Sequence, residues 1–492
     1  MAVLDKTYGE AERALPFPDR SPARRRLIAT LLRPDVLCVL LSTLFGIFIV
    51  GINPPLRGPD EAAHFLRIYG YARGEFISFA EVDGHKGLYL PASLYDDLQR
   101  FEDARQGVWH KGFTYHGVFA DYRNEQARRP AIDARPPVFV AYGGTEGYTA
   151  AAYLPQIGAA VVAQWLGLDL VQSVYLLRLT GLIAMTAAAA YAIALTPHLK
   201  WVFLLIAMLP SALYGRAVIG ADGATVAYSM IVTALALRAA LRLDGAGPWQ
   251  RALWMLLCVL TKPPQLAFIL VEGMTARLRD LARHWRRVAL VVLPGVVLSP
   301  LWVIAVSGEM AAWRIVGHTG LPPEQFDPVW KLRFMMEHPL HFPKASLQLL
   351  LTEGDALWRQ LIGVLGWLDV SLETWIYVGL TLALLAVFWE RIAADRPTRL
   401  RIAGYSALTI ASYTFGVFLI LFMTWTPPNE PVVWGVQGRY FVPVLPAAAL
   451  ALAALADVEL APRLRPMLVV GAALVSGVAV IEALWRVHWV GI

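Results

Sequence analysis

Charge-free apolar segments constrain this chain more than any other feature of its sequence. Residues 36–56 contain no charged side chain, and about 20 apolar residues are enough to cross the hydrocarbon core of a bilayer. Charged residues make up only 16% of the 492-residue chain, whereas about 25% is usual in a soluble globular protein. The sequence therefore predicts an all-α polytopic membrane protein whose surface faces mostly lipid.

Similar segments recur along the chain and predict a bundle of about eleven transmembrane helices. Most are single spans, at residues 36–56, 175–196, 201–219, 222–243, 288–306, 373–389, 402–425, 440–456 and 467–484. Two short helices flank Lys262-Pro263-Pro264, and we predict a hairpin there because a single span would separate neighbouring arginine clusters. Residues 151–168 are interrupted by Pro155, which favours a helix on the membrane surface, with a true span as the alternative.

The arginine distribution predicts which side of the membrane each segment faces. An arginine triplet at residues 24–26 precedes the first span, so the positive-inside rule places residues 1–34 in the cytoplasm. No cleavable signal peptide is predicted. Residues 35–492 then form one transmembrane domain with two extracytoplasmic loops, at residues 57–150 and 307–371. Every strong arginine cluster then faces the cytoplasm, which is typical of a multi-pass protein of the inner or plasma membrane.

The segment that opens the first outer loop carries two adjacent acids, in the order Pro59-Asp60-Glu61-Ala-Ala-His64-Phe65. If a helix begins at Pro59 or Asp60, the side chains of Asp60 and His64 lie on one face. An acid pair just outside the first span suits catalysis. Acids are also favoured in the first turn of a helix, so helix capping explains the same pattern.

Charged residues near the predicted outer ends of the spans form the candidate site. They are Asp60, Glu61, Arg178, Arg216, Asp222, Lys262, Asp369 and Arg439. Their position near one interface favours a reaction at that surface over an ion pathway through the membrane. Carboxylates beside cations suit transfer from a lipid phosphate, with a carboxylate as general base. Structural roles are the alternative, with Lys262 and Arg439 as interfacial anchors and Arg178 and Asp222 paired inside the bundle.

Short motifs in a fixed order carry a resemblance to a known superfamily. They are Pro59-Asp-Glu-x-x-His-Phe65, Tyr153-Leu-Pro-Gln156, Lys262-Pro263, Gly366-Trp-Leu-Asp369 and Gln437-Gly-Arg-Tyr440. The set resembles the integral-membrane glycosyltransferases of the GT-C superfamily, notably the protein O-mannosyltransferases, and a bacterial family of unassigned GT-C-like membrane proteins. The resemblance runs from about residue 36 to residue 455. It implies a GT-C-like bundle with a large first extracytoplasmic loop that carries membrane-surface helices.

The resemblance also implies roles for individual residues. Asp60 matches the catalytic aspartate of the superfamily, which acts as general base on the acceptor, and Glu61 would help to bind acceptor or metal. Lys262 and Arg439 would face the phosphate of the donor. Further candidates are Arg178 and Arg216 for the phosphate, and His64, Tyr153, Asp222, Asp369, Gln437 and Tyr440 for the rest of the site.

A metal requirement stays open, since metal dependence varies across that superfamily. Asp60, Glu61 and His64 are candidate ligands for a divalent cation, Mg²⁺ or Mn²⁺, but three candidates without a geometry do not establish a site. Cys38 and Cys258 lie within apolar segments, which argues against a disulfide framework and a cysteine-type metal site.

The resemblance implies an inverting glycosyltransferase that moves a sugar from a polyprenyl-phosphate-linked donor to a glycan, lipid or protein acceptor of the cell envelope. Nucleic acid is not an expected partner. One alternative is a transporter or flippase for a lipid-linked sugar, which needs a polar path through spans that are strongly apolar here. Another is a non-catalytic subunit of an envelope-glycan assembly complex, which would tolerate loss of Asp60.

Overall fold

A computed structural model describes residues 22–77, 80–82, 85–130, 133–145, 147–276, 281–306, 319–456 and 464–491. Residues 1–21 of the predicted cytoplasmic segment and residues 307–318 of the predicted second outer loop lie outside the described residues. The described chain is mostly helical. Its α-helices in the membrane bundle and its connections are α1 (Pro22–Leu31), α2 (Pro34–Ile52), α6 (Leu154–Leu166), α7 (Leu170–Leu195), α8 (Lys200–Met208), α9 (Pro210–Ala217), α10 (Asp222–Ala240), α11 (Pro248–Thr261), α12 (Leu281–Val306), α15 (Thr374–Phe388), α16 (Arg396–Thr424), α17 (Leu445–Leu455) and α18 (Arg465–Trp485).

Seven helical segments among the described residues are long and apolar enough to cross a membrane. They are Pro34–Ile52, Leu170–Leu195, Asp222–Ala240, Trp285–Val306, Arg396–Thr424, Gly438–Leu455 and Arg465–Val490. The count of about eleven spans therefore stays a prediction, because the other predicted spans form shorter helices. Helix α15 has 15 residues, and the surface-helix candidate α6 has 13, about 20 Å of helix, which is short for a full span.

The predicted span 201–219 is instead two short helices, α8 and α9, joined at Leu209. The ψ angle of Leu209 is 141°, which is outside the helical region. Pro210 explains this break, because proline disfavours a helical conformation in the residue before it and cannot donate a hydrogen bond to the preceding turn. The hydropathy pattern continues across Leu209, so the pattern does not reveal the break.

The hairpin prediction around Lys262 is confirmed. Helix α11 forms the first arm and a 3₁₀ helix, Pro263–Thr275, forms the second. Arg251 near the start of the first arm forms an ion pair with Glu272 near the end of the second, at 2.8 Å. The two arms are therefore antiparallel, and Lys262 lies at the tip that joins them.

Arginines fasten together one end of the bundle, which is the end predicted to face the cytoplasm. Arg238 donates to the carbonyl of Leu195, and Arg401 donates to the carbonyl of Met274. Arg465 pairs with Glu390 at 2.9 Å. Cations are favoured beside the carbonyl groups at helix C-termini, so these contacts stabilise helix ends as well as pairing charges.

The first outer loop contains a small β-sheet, so the all-α prediction is wrong for this region. Strands β1 (Ala80–Val82), β2 (His85–Leu90) and β3 (Val138–Ala141) form an antiparallel sheet in that order. Helices α3 (Glu61–Ala72), α4 (Ala92–Gly107) and α5 (Tyr115–Arg128) share one hydrophobic cluster with it. Gly87 permits the pairing of β2 and β3, since a Cβ there would lie 2.1 Å from the carbonyl oxygen of Val140.

The second outer region is helical where the structure describes it. A 3₁₀ helix, Pro323–Phe326, is followed by α13 (Pro328–Glu337) and α14 (His341–Gly363), and a further 3₁₀ helix, Gly438–Val444, leads into α17. A C-terminal π-helical turn, Arg486–Val490, joins the first outer loop to the bundle, because Trp489 donates to the carbonyl of Ile52 at the end of α2 and its ring stacks on Phe119 of α5. The outer region thus rests on the bundle end opposite the arginine contacts.

Candidate functional site

Asp60 occupies the residue before α3, but its side chain does not cap the helix. Its φ angle is 51° in the left-handed region, and its carboxylate makes no capping hydrogen bond. The side chain remains 41% exposed. A left-handed backbone conformation is uncommon in residues other than glycine and often marks a functional position, although aspartate tolerates it better than most residues. The helix-capping alternative therefore does not explain Asp60, and its carboxylate is available to the neighbouring cleft.

Four charged side chains from distant parts of the chain converge in this cleft. Lys262 Nζ lies 2.5 Å from Asp222 Oδ1. Arg439 lies between two carboxylates, with Nη2 3.6 Å from Asp60 Oδ2 and Nη1 3.6 Å from Asp222 Oδ2. The cleft is lined by Pro59, Asp60, His64, Tyr148, Ser211, Tyr214, Gly215, Val218, Ile219, Gly220, Asp222, Lys262, Val364, Arg439 and Tyr440.

Aromatic rings flank the two cations of the cleft. Lys262 Nζ lies 5.4 Å from the ring centre of Tyr148 and 5.1 Å from that of Tyr440. The side chains of Lys262 and Arg439 are only 12% and 11% exposed. Weakly hydrated cations bind an anion more strongly than exposed ones, because less water has to be removed. The cleft therefore offers an accessible carboxylate next to two anion-binding groups.

His64 lies one helical turn after Asp60 and is buried against the same cleft. Its Nδ1 atom lies 2.6 Å from the hydroxyl oxygen of Tyr153. Burial lowers the pKa of His64 to about 4, and the charges of Lys262 and Arg439 act in the same direction against those of the two aspartates. His64 is therefore neutral at physiological pH.

Glu61 and Arg178 do not reach the cleft, which corrects the roles predicted for them. Both side chains are fully buried and form a bidentate ion pair, with Arg178 Nη2 2.6 Å from Glu61 Oε2. Glu61 also accepts from the backbone amides of Gly58 and Ile219, each at 2.8 Å. All acceptor sites of this carboxylate are directed at protein donors, so it stabilises the turn before α3 and cannot bind acceptor or metal.

Three other predicted residues also lie away from the cleft. Asp369 forms a buried ion pair with Arg57 at 2.6 Å and accepts from the amide of Trp367, which stabilises the turn of the Gly366-Trp-Leu-Asp369 motif. Arg216 donates to Ser42 Oγ at 3.0 Å inside the bundle. Gln437 precedes Arg439 but does not line the cleft. Asp369 and Arg216 are therefore engaged by other parts of the protein, and Gln437 is not among the residues that line the cleft.

The predicted metal ligands Asp60, Glu61 and His64 do not converge either. Glu61 is saturated by four protein donors, and Nδ1 of His64 is bonded to Tyr153. Within the described part of the chain, no group of three His, Cys, Asp or Glu side chains is arranged to hold a metal ion. These three side chains are therefore not arranged to bind one cation together.

Sequence reasoning missed the wall of the cleft formed by Tyr148, Ser211 and Tyr214. Tyr214 donates to the carbonyl of Arg57 at 3.1 Å, which links α9 to the turn that carries Asp60. Neutral side chains at span ends are common as interfacial anchors, so composition alone does not distinguish these three.

Comparison with known proteins identifies a family but no characterised relative. No curated protein and no solved structure matches the sequence. The model of a family described as "Predicted membrane protein (DUF2142)" matches residues 43–448. The match covers more than half of the chain and includes every residue of the cleft. This polytopic membrane protein therefore belongs to the DUF2142 family of predicted membrane proteins.

Proposed function

We propose that this protein is a GT-C-type glycosyltransferase that transfers a sugar from a polyprenyl-phosphate-linked donor to a hydroxyl group of a cell-envelope acceptor. The observation that carries the proposal is the cleft. There the carboxylate of Asp60, which does not cap the helix, lies beside the largely buried cations Lys262 and Arg439. The cleft lies at the end of the bundle opposite the arginine contacts. From the positive-inside rule we infer that this end faces the extracytoplasmic side. The proposal includes a GT-C-like bundle of about eleven spans.

The proposed reaction is a single displacement at the anomeric carbon. The acceptor hydroxyl oxygen attacks that carbon while its proton passes to the carboxylate of Asp60. The bond between the anomeric carbon and the phosphate oxygen breaks, and its electron pair stays on the phosphate. The configuration inverts. A phosphate is a good leaving group, so one carboxylate suffices where an ordinary glycosidase uses two.

Lys262 and Arg439 stabilise the charge that grows on the leaving phosphate. Arginine contacts two phosphate oxygens through its planar fork, whereas lysine acts as a compact point charge. Asp222 holds both cations in place before the donor binds, at 2.5 Å from Lys262 and 3.6 Å from Arg439. A donor phosphate replaces part of this pairing, so the cations keep a charge partner in both states.

Substitution of the cations tests this assignment. Arg439→Lys is expected to weaken binding of polyprenyl phosphate by ~10–100-fold although the charge is kept, because the fork is lost. Lys262→Arg should be milder than Lys262→Met. The measurement is equilibrium binding of polyprenyl phosphate to the purified protein in lipid nanodiscs.

Arg465→Lys is the matched control, since this arginine is also buried in an ion pair but lies at the opposite end of the bundle. It should leave binding unchanged. Wild-type affinity in folded Arg439→Lys and Lys262→Met proteins would refute a phosphate site in this cleft.

A further inference from the structure

The two ring nitrogens of His64 have different surroundings. Nδ1 is bonded to the hydroxyl of Tyr153, whereas Nε2 has no hydrogen-bond partner within the described part of the chain. Nε2 lies beside Gly220, where an added Cβ would be 3.9 Å away, and both residues line the cleft. One nitrogen is therefore fixed by the protein, and the other faces the space that a substrate would occupy.

Tyr153 determines which nitrogen carries the proton. Its side chain is fully buried, and Nδ1 of His64 is the hydrogen-bond partner of its hydroxyl within the described residues. If Nδ1 carried the proton, it would donate to the tyrosine oxygen and leave the buried hydroxyl hydrogen without an acceptor, which is costly. Burial also raises the pKa of Tyr153 well above its ordinary value, so the hydroxyl keeps its proton. Tyr153 therefore donates to Nδ1, and the imidazole proton lies on Nε2.

The imidazole stays neutral despite its charged surroundings. The groups that face it are Asp60 and Asp222, which favour protonation, and Lys262 and Arg439, which oppose it. Burial is the largest influence and opposes protonation as well. At neutral pH, His64 therefore presents a single uncharged N–H group to the cleft.

We propose that His64 donates a hydrogen bond from Nε2 to an oxygen of the bound sugar phosphate, and that Tyr153 is the positioning residue that fixes this tautomer. The inference rests on the proposed function and adds a substrate contact to it. An Nε2 atom that carries a proton is neither a general base nor a metal ligand. Asp60 is therefore still the general base, and His64, one helical turn later in the chain, binds the substrate.

The tautomer is measured first, without any substrate. The probe is ¹⁵N NMR of the histidine-labelled protein in lipid bilayers at neutral pH, with the His64 resonances identified by their loss in His64→Gln. The wild-type protein should show a protonated Nε2 and a bare Nδ1, and Tyr153→Phe should show a mixture of tautomers. A proton on Nδ1 in the wild-type protein would overturn the proposal. This readout is independent of sugar transfer, so failure of the transferase assignment would not change it.

Two isosteric variants then test the substrate contact. Glutamine places an amide N–H near the position of Nε2, whereas asparagine reaches only the position of Nδ1, where its amide oxygen can accept from Tyr153, and leaves the cleft side empty. His64→Gln should keep kcat/KM within about threefold of wild type, and His64→Asn should lose ~10–100-fold. Thermal unfolding of each variant checks that the protein is folded before kcat/KM is compared.

Binding measurements with two different lipids identify the oxygen that accepts the hydrogen bond from His64. Weaker binding of both polyprenyl phosphate and polyprenyl phosphomannose to His64→Asn than to His64→Gln would place the contact on phosphate. Weaker binding of the sugar-bearing lipid alone would place it on a sugar hydroxyl. Equal binding and equal kcat/KM for the two variants would refute a donated hydrogen bond, even if the wild-type protein transfers sugar.

Discussion

Asp60→Asn is expected to lower the turnover of sugar transfer by ~10²–10⁴-fold, the usual loss when a general base is removed. The amide keeps the size of the carboxylate and cannot accept the hydroxyl proton. Asparagine also tolerates the left-handed backbone at this position, where φ is 51°. The fold should therefore be unchanged. The measurement is release of polyprenyl phosphate from radiolabelled polyprenyl-phosphate sugars, with a crude envelope fraction as acceptor.

Asp355→Asn is the control for Asp60→Asn. Asp355 is 68% exposed and pairs with Arg359 on the surface of α14, so its loss should leave turnover unchanged. Near-normal transfer by a well-folded Asp60→Asn protein would remove Asp60 as the base. It would favour a non-catalytic role in an assembly complex, because such a subunit tolerates the loss.

Arg178→Met is expected to destabilise the protein by about 3–5 kcal/mol, because it leaves the carboxylate of Glu61 buried without its cation. Arg178 also donates to the carbonyls of Asn53 and Pro54, which shape the turn before Asp60. Removal of both charges in Arg178→Met/Glu61→Leu should recover part of the loss, since no unpaired charge is then left. The measurement is the thermal unfolding transition of the purified protein in detergent.

Arg359→Met is the matched control for Arg178→Met, because its ion pair with Asp355 is exposed and should contribute less than about 1 kcal/mol. If Arg178→Met unfolded at the wild-type temperature and lost polyprenyl phosphate binding per folded molecule, Arg178 would belong to the phosphate site after all. The structure instead gives it a purely supporting role.

The convergence of Asp60, Asp222, Lys262 and Arg439 could be predicted from sequence because it follows from topology. Hydropathy locates the ends of spans, and the arginine clusters indicate which ends lie together. The hairpin prediction depended on the same rule and brought Lys262 to the outer end. The structure places these four charges in one cleft.

The different fates of Asp60 and Glu61 could not be predicted in the same way. The two acids are adjacent, and only the left-handed backbone at Asp60 directs one into the cleft while the other is buried against Arg178. Sequence patterns do not reveal a positive φ at a residue other than glycine. Arg216 was misassigned for a related reason, since its position near a span end does not show that it turns toward Ser42.

The three-stranded sheet in the first outer loop was also missed. Its strands are short, between 3 and 6 residues, and the paired strands β2 and β3 are separated in the chain by two helices. Alternation over so few residues is weak evidence for a strand. The pairing depends on contacts distant in sequence, which a local pattern does not contain.

The most direct test of the central claim is a cryo-EM map of the protein in nanodiscs that contain polyprenyl phosphate. The account predicts phosphate density between Lys262 and Arg439, within hydrogen-bonding distance of both, with the polyprenyl chain leaving the cleft toward lipid and Asp60 beside the headgroup. The same map of Arg439→Lys should show weakened density there. Phosphate density at the arginine-rich end near Arg238 and Arg465, with none beside Asp60, would contradict the account.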